Sequence, residues 1–365
     1  MIQTALYENM LIEHKRFRET NLPSFVSLVI YVYRFSHLLV SDHFLCLCSL
    51  TENNKGLLHI KVQNCGMSDF VQGILKLQTG SVNFESKLQD HPPCVHGENL
   101  IYIVSAILIK EEKILLVSEN RPECYGAWYL PAGKVEKNET LESAFERELV
   151  EESFIQGKAD HLLSIDHDLF GRWFRYNFIG HSVGGRLKTL EDQDKESLEA
   201  KWFPISDVLN GALDLRCSDI LHVIKDAVNW LSADKSIQHI KSLPIQAPYT
   251  HHIQRLIIID ARQRDNIRLA LVKTLNILPW EGLTQRVEAS LNSVFTSKTF
   301  RLKRLGMLSI EHLPNKKKPS DGVCFNILFR VEEGEENESF DWIVLDENLK
   351  IIFEQICASN SFIIF

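Results

Sequence analysis

Residues 126–155 read GAWYLPAGKVEKNETLESAFERELVEESFI. Gly126, Pro131 and Gly133 punctuate a loop, after which either Asn138 or Thr140 is placed to cap a helix whose first turn carries Glu139 and Glu142. At about 100° per residue, Leu141, Ala144, Phe145 and Leu149 form one apolar arc, and the helix is expected to run to about Ser153. Glu148 and Glu152 project inside that arc, with Glu151 at its edge. Clustered carboxylates turned toward a core repel one another and are costly unless protonated or given a cation. The sequence supplies one adjacent cation, Arg147, which can pair with Glu151 four residues on. A solvated acidic face is the plain alternative. A hard divalent ion with oxygen ligands, Mg²⁺ or Mn²⁺, resolves the surplus charge, typically using few carboxylates and completing its shell with substrate phosphates.

Working outward, IYIVSAILI (101–109) reads as a buried strand, KEEK (110–113) as a turn and ILLVSE (114–119) as the antiparallel partner. Downstream, LLSIDHDLF (162–170), RWFRYNFIG (172–180) and KWFPISDV (201–208) read as strands, and Ser218 precedes an amphipathic helix, DILHVIKDAVNWL (219–231). The order of Gly133, Glu139, Arg147, Glu148, Glu151 and Glu152, with Leu149 and Ile155 between and after them, resembles the signature of the Nudix (MutT-like) hydrolases. One position departs: Phe154 stands where that family has a helix-closing Gly.

The resemblance implies an α/β fold, the Nudix α/β/α sandwich with a mixed sheet, over residues 98–231. It implies Glu148 and Glu152 as principal metal ligands, Glu151 as a further ligand or the water-activating base, and the Gly133 carbonyl facing the metal. Arg147 would orient the carboxylates and Glu139 would contribute more weakly. Trp128, Leu130 and Arg175 would touch the nucleotide, and the acidic loop EDQDKESLE (191–199) would bring Glu196 or Glu199 toward the metal as a base. The reaction implied is attack of water on a phosphoanhydride of a nucleoside diphosphate derivative, assisted by Mg²⁺ or Mn²⁺. The phrase ECYGAWYLPAGKVEKNET with LLSIDH and WFRYNF is similar to a family branch that dephosphorylates 8-oxoguanine nucleoside diphosphates. An ADP-ribose or nucleotide-sugar pyrophosphatase and a non-catalytic nucleotide-binding scaffold are the alternatives.

A second copy of the pattern follows the polar stretch 232–250, read as a linker. RLIIID (255–260) opens it, LGMLSIEH (305–312) echoes HLLSIDH (161–167), CFNILFRV (324–331) echoes WFRYNF, and SFDWIVLDENL (339–349) echoes EAKWFPISDVL. Placing Leu283 on Leu141 sets Val287 on Phe145 and Leu291 on Leu149, so an apolar helix face persists. Ala289, Ser290, Ser293 and Val294 then replace Arg147, Glu148, Glu151 and Glu152. Residues 251–365 are therefore expected to form a degenerate Nudix-like α+β domain without metal ligands, shaping a pocket or a homodimer contact. The acidic EEGEENE (332–338) is read as a hairpin tip.

The 365 residues accommodate two such domains, preceded by 1–97 as an extension of unassigned role with a weak helix signal after Met67. A net charge of −8 opposes binding to polymeric DNA or RNA, leaving a small nucleotide as the expected partner. The apolar stretch Leu22–Leu50 is broken by Arg34, His37, Asp42 and His43, and Glu8, Glu13 and Glu19 stand where a signal peptide would be basic. No stable membrane span is expected. Eight cysteines without a CxxC pair read as reduced thiols of a cytoplasmic protein.

Overall fold

A computed structural model describes residues 48–52, 58–62, 67–80, 87–168, 170–232, 241–283, 300–314, 321–334, 340–359 and 362–363. The chain divides into two compact units, Met1–Gln63 and Asn64–Phe365. In the first, strands β1 (Cys48–Glu52) and β2 (Leu58–Val62) pair antiparallel. Most of the apolar amino-terminal stretch lies outside the described residues. Among the described residues no helix is long and apolar enough to cross a membrane.

The second unit opens with helix α1 (Met67–Lys76) and contains two mixed sheets. In the first sheet, β3 (Ile101–Lys110) and β4 (Lys113–Glu119) meet through a turn in which Glu111 and Glu112 both take positive φ, the conformation that follows strand twist in a two-residue hairpin. The two strands then part after two residue pairs. β3 instead pairs antiparallel with β6 (Ala132–Lys134) and parallel with β8 (Trp173–Gly185), which pairs with β7 (Ile155–His167). β4 pairs with β5 (Trp128–Tyr129) and β9 (Ser197–Pro204). Helix α2 (Leu141–Ser153) buries Leu141, Ala144, Phe145 and Leu149 in the core shared with Val104, Leu108 and Phe178. After the short α3 (Ile205–Leu209), α4 (Ile220–Ser232) buries Ile220, Val223, Ile224 and Ala227 in a separate layer with Ile107, Leu116 and Leu163. Alternate residues of β3, Leu108 and Ile107, thus serve opposite layers, which is the α/β/α arrangement expected from the sequence.

The second sheet repeats these connections except that, among the described residues, it has no counterpart of β5. β10 (Ile253–Asp260) lies parallel to β14 (Cys324–Gly334), as β3 does to β8. β13 (Phe300–Glu311) flanks β14, β12 (Trp280–Gly282) pairs antiparallel with β10, and β11 (Arg268–Val272) pairs with β15 (Phe340–Val344), followed by α5 (Glu347–Ser359). The proposed register of the second helix, from Val287 to Val294, lies outside the described residues. One reading of the sequence is overturned: 332–338 is not a hairpin tip. Glu332–Gly334 end β14, and β14 and β15 are separated in the sheet by β10 and β11, so this connection crosses the sheet.

The repetition extends to buried polar groups. In the first sheet Asn177 donates to Ser164 and Asp166, and Arg175 bonds Asp166 and the Tyr129 hydroxyl. In the second, Asn326 donates to Ser309 and Glu311, and Arg255 bonds Glu311 and the Tyr249 hydroxyl. Ser, Asn and acid occupy matching registers, but the arginine comes from β8 in one sheet and from β10 in the other. Buried charges persist only when paired in this way. The two sheets share one core, in which Phe174 and Tyr102 meet Phe325, His252 and His312. Helix α1 belongs with the second sheet rather than with an isolated extension: Phe70 packs on Phe353 of α5, and Met67 N–H bonds the Lys241 carbonyl. The described part of the 232–250 stretch is likewise fixed, with Leu162 N–H bonding the Ser242 carbonyl and Ile245 bridging to Glu311 of β13.

Candidate active site

Thr140, one of the two cap candidates, begins α2: its hydroxyl accepts from Ser143 N–H at 3.1 Å, while Asn138 takes a φ of 66° in the preceding turn. At the other end Phe154 adopts the left-handed conformation that Gly would supply, with φ 61°, and its N–H bonds the Val150 carbonyl at 2.9 Å. Arg186 and Lys188 lie over the Phe154 ring, 4.9 and 5.3 Å from its centre. A left-handed non-Gly residue costs about 1–2 kcal/mol, and a cation–π contact returns about 0.5–1 kcal/mol. Phe154→Gly is therefore expected to leave stability within about 1 kcal/mol of the parent in urea unfolding. A gain of the full left-handed penalty would show that the ring contacts contribute nothing.

Between these ends, Glu148 and Glu152 are buried, at 6% and 4% exposure, and Glu151 is exposed. Arg147 collects three of the four helix-side acids. Its Nε and Nη2 donate to the two oxygens of Glu139 at 2.9 Å each, and Nη1 donates to Glu148 at 2.7 Å and Glu151 at 2.9 Å. Nη2 also donates to the Lys134 carbonyl, tying the helix to β6. These bonds raise the Arg147 pKa further, Glu139 contributing most. Glu152 is outside this network. Its Oε2 accepts the Ala132 N–H at 2.8 Å, and burial nevertheless pushes its carboxyl up to about 8, with Glu148 and Glu119 adding repulsion. Burial also raises Glu148, against the pull of Arg147, and the charge of Glu196 pushes in the same direction.

Gly133 has a direct reason to be Gly. A β-carbon there would lie 2.2 Å from the Cδ and both carboxylate oxygens of Glu148. The Glu148 carboxylate thus rests against the Gly133 backbone. Two buried carboxylates beside the β6 backbone, both driven toward protonation by burial, are a donor set suited to a hard divalent cation. Among the described residues no three His, Cys, Asp or Glu side chains converge as a complete cage. This is compatible with an ion that takes one or two carboxylates and relies on water and substrate for the remainder.

Of the two loop acids, Glu196 couples electrostatically to Glu148, whereas Glu199 is held by Lys201 at 2.6 Å. Trp128 is half-buried, with its ring edge-on to Phe203 and Lys201 over it. Leu130 is buried in the layer beneath α4. Arg175 is buried and braced: Nε and Nη2 bond Asp166 at 3.0 and 2.8 Å, and Nη1 bonds Tyr129 and Asp219. The β8 run is otherwise packed into the sheet, with Phe174 and Tyr176 fully buried. Beside this network, Ser105 Oγ and Asn177 Oδ1 are buried without a protein partner, whereas Arg255 bonds the corresponding Asn326 oxygen in the second sheet.

Sequence reasoning did not find the group at the end of β4. Glu119, buried and close enough to Glu152 to raise its pKa, receives Arg216 at 2.5 Å and faces Arg121 at 3.6 Å. Arg216 also lies 4.2 Å over the Tyr129 ring. The arginine at 121 was visible locally, but its relation to Glu152 and to a residue near 216 depends on tertiary pairing.

The NUDIX domain family matches residues 100–222. Among curated relatives, the 8-oxo-dGDP phosphatase NUDT18 of Homo sapiens is 31% identical over 281 residues, spanning 73% of this chain and 84% of that protein. The protein of the same name from Danio rerio is 28% identical over 275 residues, covering 71% of this chain and 82% of its own. An ADP-ribose pyrophosphatase of Methanocaldococcus jannaschii is 33% identical over 131 residues, 35% of this chain and 72% of that one. With a likeness that covers 73% of the chain and a helix carrying the signature carboxylates, the chain belongs to the Nudix hydrolase family.

Proposed function

We propose that the protein is a divalent-metal-dependent hydrolase of 8-oxoguanine nucleoside diphosphates, releasing the monophosphate and inorganic phosphate. The observation that carries this reading is the pair of buried carboxylates, Glu148 against Gly133 and Glu152 on the Ala132 N–H, with one arginine shared by Glu139, Glu148 and Glu151. The similarity to NUDT18 proteins over most of the chain supports the substrate class. Glu148 and Glu152 would hold Mg²⁺ or Mn²⁺, with Glu151 and the Gly133 carbonyl beside it. The bound ion offsets phosphate charge and lowers the pKa of water.

The chain's own residues supply orientation and proton transfer. Arg147 fixes Glu148 and Glu151 relative to Glu139. Water oxygen bonds to the terminal phosphorus, its proton passes to Glu151 or Glu196, and the bridging P–O bond breaks with the electron pair leaving on the monophosphate. The polar group formed by Tyr129, Arg175, Asn177 and Ser105, where the buried Ser105 and Asn177 oxygens lack protein partners, would read the guanine-type base. Trp128 and Leu130 complete this side. The second copy fills the equivalent place with Arg255. Free thiols at Cys94, Cys124, Cys217, Cys324 and Cys357 suit the cytoplasm.

A panel comparing 8-oxo-dGDP, 8-oxo-dGTP and ADP-ribose in Mg²⁺ and Mn²⁺, with product identification, tests the reading. Preference for ADP-ribose would replace it with the pyrophosphatase reading, which the M. jannaschii relative favours. Binding without turnover of all three would favour a scaffold. Arg121, half-exposed at the Glu119 group, is expected to touch the substrate phosphates. Arg121→Ala should raise KM about tenfold with kcat within about twofold, since a charge-assisted bond lost equally from ground and transition states removes uniform binding. An unchanged KM would remove Arg121 from the phosphate site.

A further inference from the structure

We infer that Lys188 is a positioning residue of the reaction: its buried ammonium fixes the loop that carries Glu196 to the last turn of α2, so that Glu196 rather than Glu151 takes the proton of the attacking water. The inference rests on the hydrolase reading above and deepens it. Lysine is almost never fully buried unless paired, and Lys188 is 1% exposed. All three of its ammonium donors are used. Nζ bonds the Asp194 carboxylate at 2.6 Å, the Ser197 hydroxyl at 2.7 Å and the Glu151 carbonyl at 3.2 Å. The Phe154 ring, at the position where the family has Gly, has its centre 5.3 Å from the same nitrogen.

These bonds join two segments into one body. The last four carbonyls of a helix have no partner within it. In α2 the Val150 carbonyl accepts Phe154 N–H, that of Glu151 accepts the Lys188 ammonium, that of Glu152 accepts the Ser197 hydroxyl at 3.1 Å, and that of Ser153 accepts Lys188 N–H at 3.0 Å. Three of the four are thus taken by residues of the 188–197 segment. Glu196 is held within that segment from both sides. Its N–H donates to Asp194 Oδ1 at 2.9 Å, as does Ser197 N–H at 3.0 Å, and its carbonyl accepts the N–H of Asn120, the residue after β4, at 3.2 Å. The Asn120 side chain donates to the Asp194 carbonyl as well.

The pairing of the neighbouring acids singles out Glu196. Of the five acids in 191–199, Asp192 is bound by Arg186 at 2.7 Å, Asp194 by Lys188 and Glu199 by Lys201 at 2.6 Å. Of the remaining two, Glu196 acts on Glu148 by charge. Its carboxylate meets the exposed Lys195 at 3.8 Å, beyond hydrogen-bond reach. Glu151, the competing acceptor, is already engaged by Arg147 at 2.9 Å. A carboxylate with no donor on it is the better base, and the Lys188 tether holds it beside the metal-binding helix. As water oxygen bonds to phosphorus, its proton passes to Glu196 and the bridging P–O bond breaks with its electron pair leaving on the monophosphate.

A double-mutant cycle, run on whichever nucleotide of the three-member panel the parent hydrolyses best, tests the inference. Glu196→Gln is expected to lower kcat about a hundredfold, the contribution of a general base. Lys188→Met should lower kcat tenfold or more with KM within about twofold, since a shift of about 1 Å in a catalytic group costs up to a hundredfold. Asp194→Asn, at an exposed position where folding is preserved, should lower it severalfold. On the Glu196→Gln background both substitutions should cost less than about twofold, because a tether has nothing left to position. A readout without metal or nucleotide accompanies the kinetics: in chelator, the Glu196 and Ser197 amides should exchange with deuterium at least tenfold faster in Lys188→Met than in the parent, and severalfold faster in Asp194→Asn. Parent-level kcat in the single variants, losses that multiply in the double variants, or unchanged exchange would overturn the inference alone. A parent inactive on all three nucleotides would overturn the hydrolase reading and the inference together.

Discussion

Replacing Glu152 by Gln is expected to lower kcat/KM for the diphosphate substrate about a thousandfold, because a metal-bound carboxylate supplies several kcal/mol of charge stabilisation and each 1.36 kcal/mol is a factor of ten. Shape is preserved. The amide oxygen can still accept the Ala132 N–H that now bonds Glu152 at 2.8 Å. What is lost is the capacity to become an anion. Burial holds the Glu152 carboxyl near 8, so at neutral pH it is largely protonated until a cation arrives. In chelator the variant should therefore unfold at a urea concentration no lower than the parent. Steady-state hydrolysis in Mg²⁺ and urea melts in chelator, run on the same preparations, separate the two effects. Full hydrolysis by the variant would remove Glu152 from the reaction.

Gly133→Ala should cost about a hundredfold in turnover through a different route. The backbone at Gly133 is not in the left-handed region, so Ala meets no dihedral penalty. Its methyl would instead occupy the position of the Glu148 carboxylate, 2.2 Å from all three of its terminal atoms. Glu148 must move, and with it the Arg147 bond that holds Glu139 and Glu151. A misplacement of about 1 Å in a catalytic group is enough for a loss near a hundredfold. Overpacking should lower stability by about 1–3 kcal/mol. Activity equal to the parent would mean that the Glu148 carboxylate does not work from this position.

The difference between these residues marks what the sequence made legible. Glu148 and Glu152 stood out because a helix has a fixed period, so two acids inside an apolar arc can be recognised without coordinates. The contact of Gly133 with Glu148 spans a loop and a helix, and periodicity carries no information about it. The strands of the second sheet were readable from local echoes such as LLSIDH and MLSIEH. The crossing between β14 and β15 was not, since acidic residues between two strands look alike whether the strands are neighbours or lie three positions apart. Arg175 was visible as a charge on a strand, but its bracing by Asp166, Tyr129 and Asp219 joins three other segments. Glu119 with Arg216 and His96 with Asp321 are 97 and 225 residues apart, pairings that only the folded chain brings together.

The arginine that serves each buried acid limits which parts the two halves could exchange. In one sheet it stands on the strand beside the acid, and in the other it reaches across from the next strand. A chimera that exchanged β3 for β10 would place two arginines against one carboxylate in one hybrid and none in the other. The halves share a plan but are not interchangeable in parts, so each acid and its arginine must be transplanted as a unit.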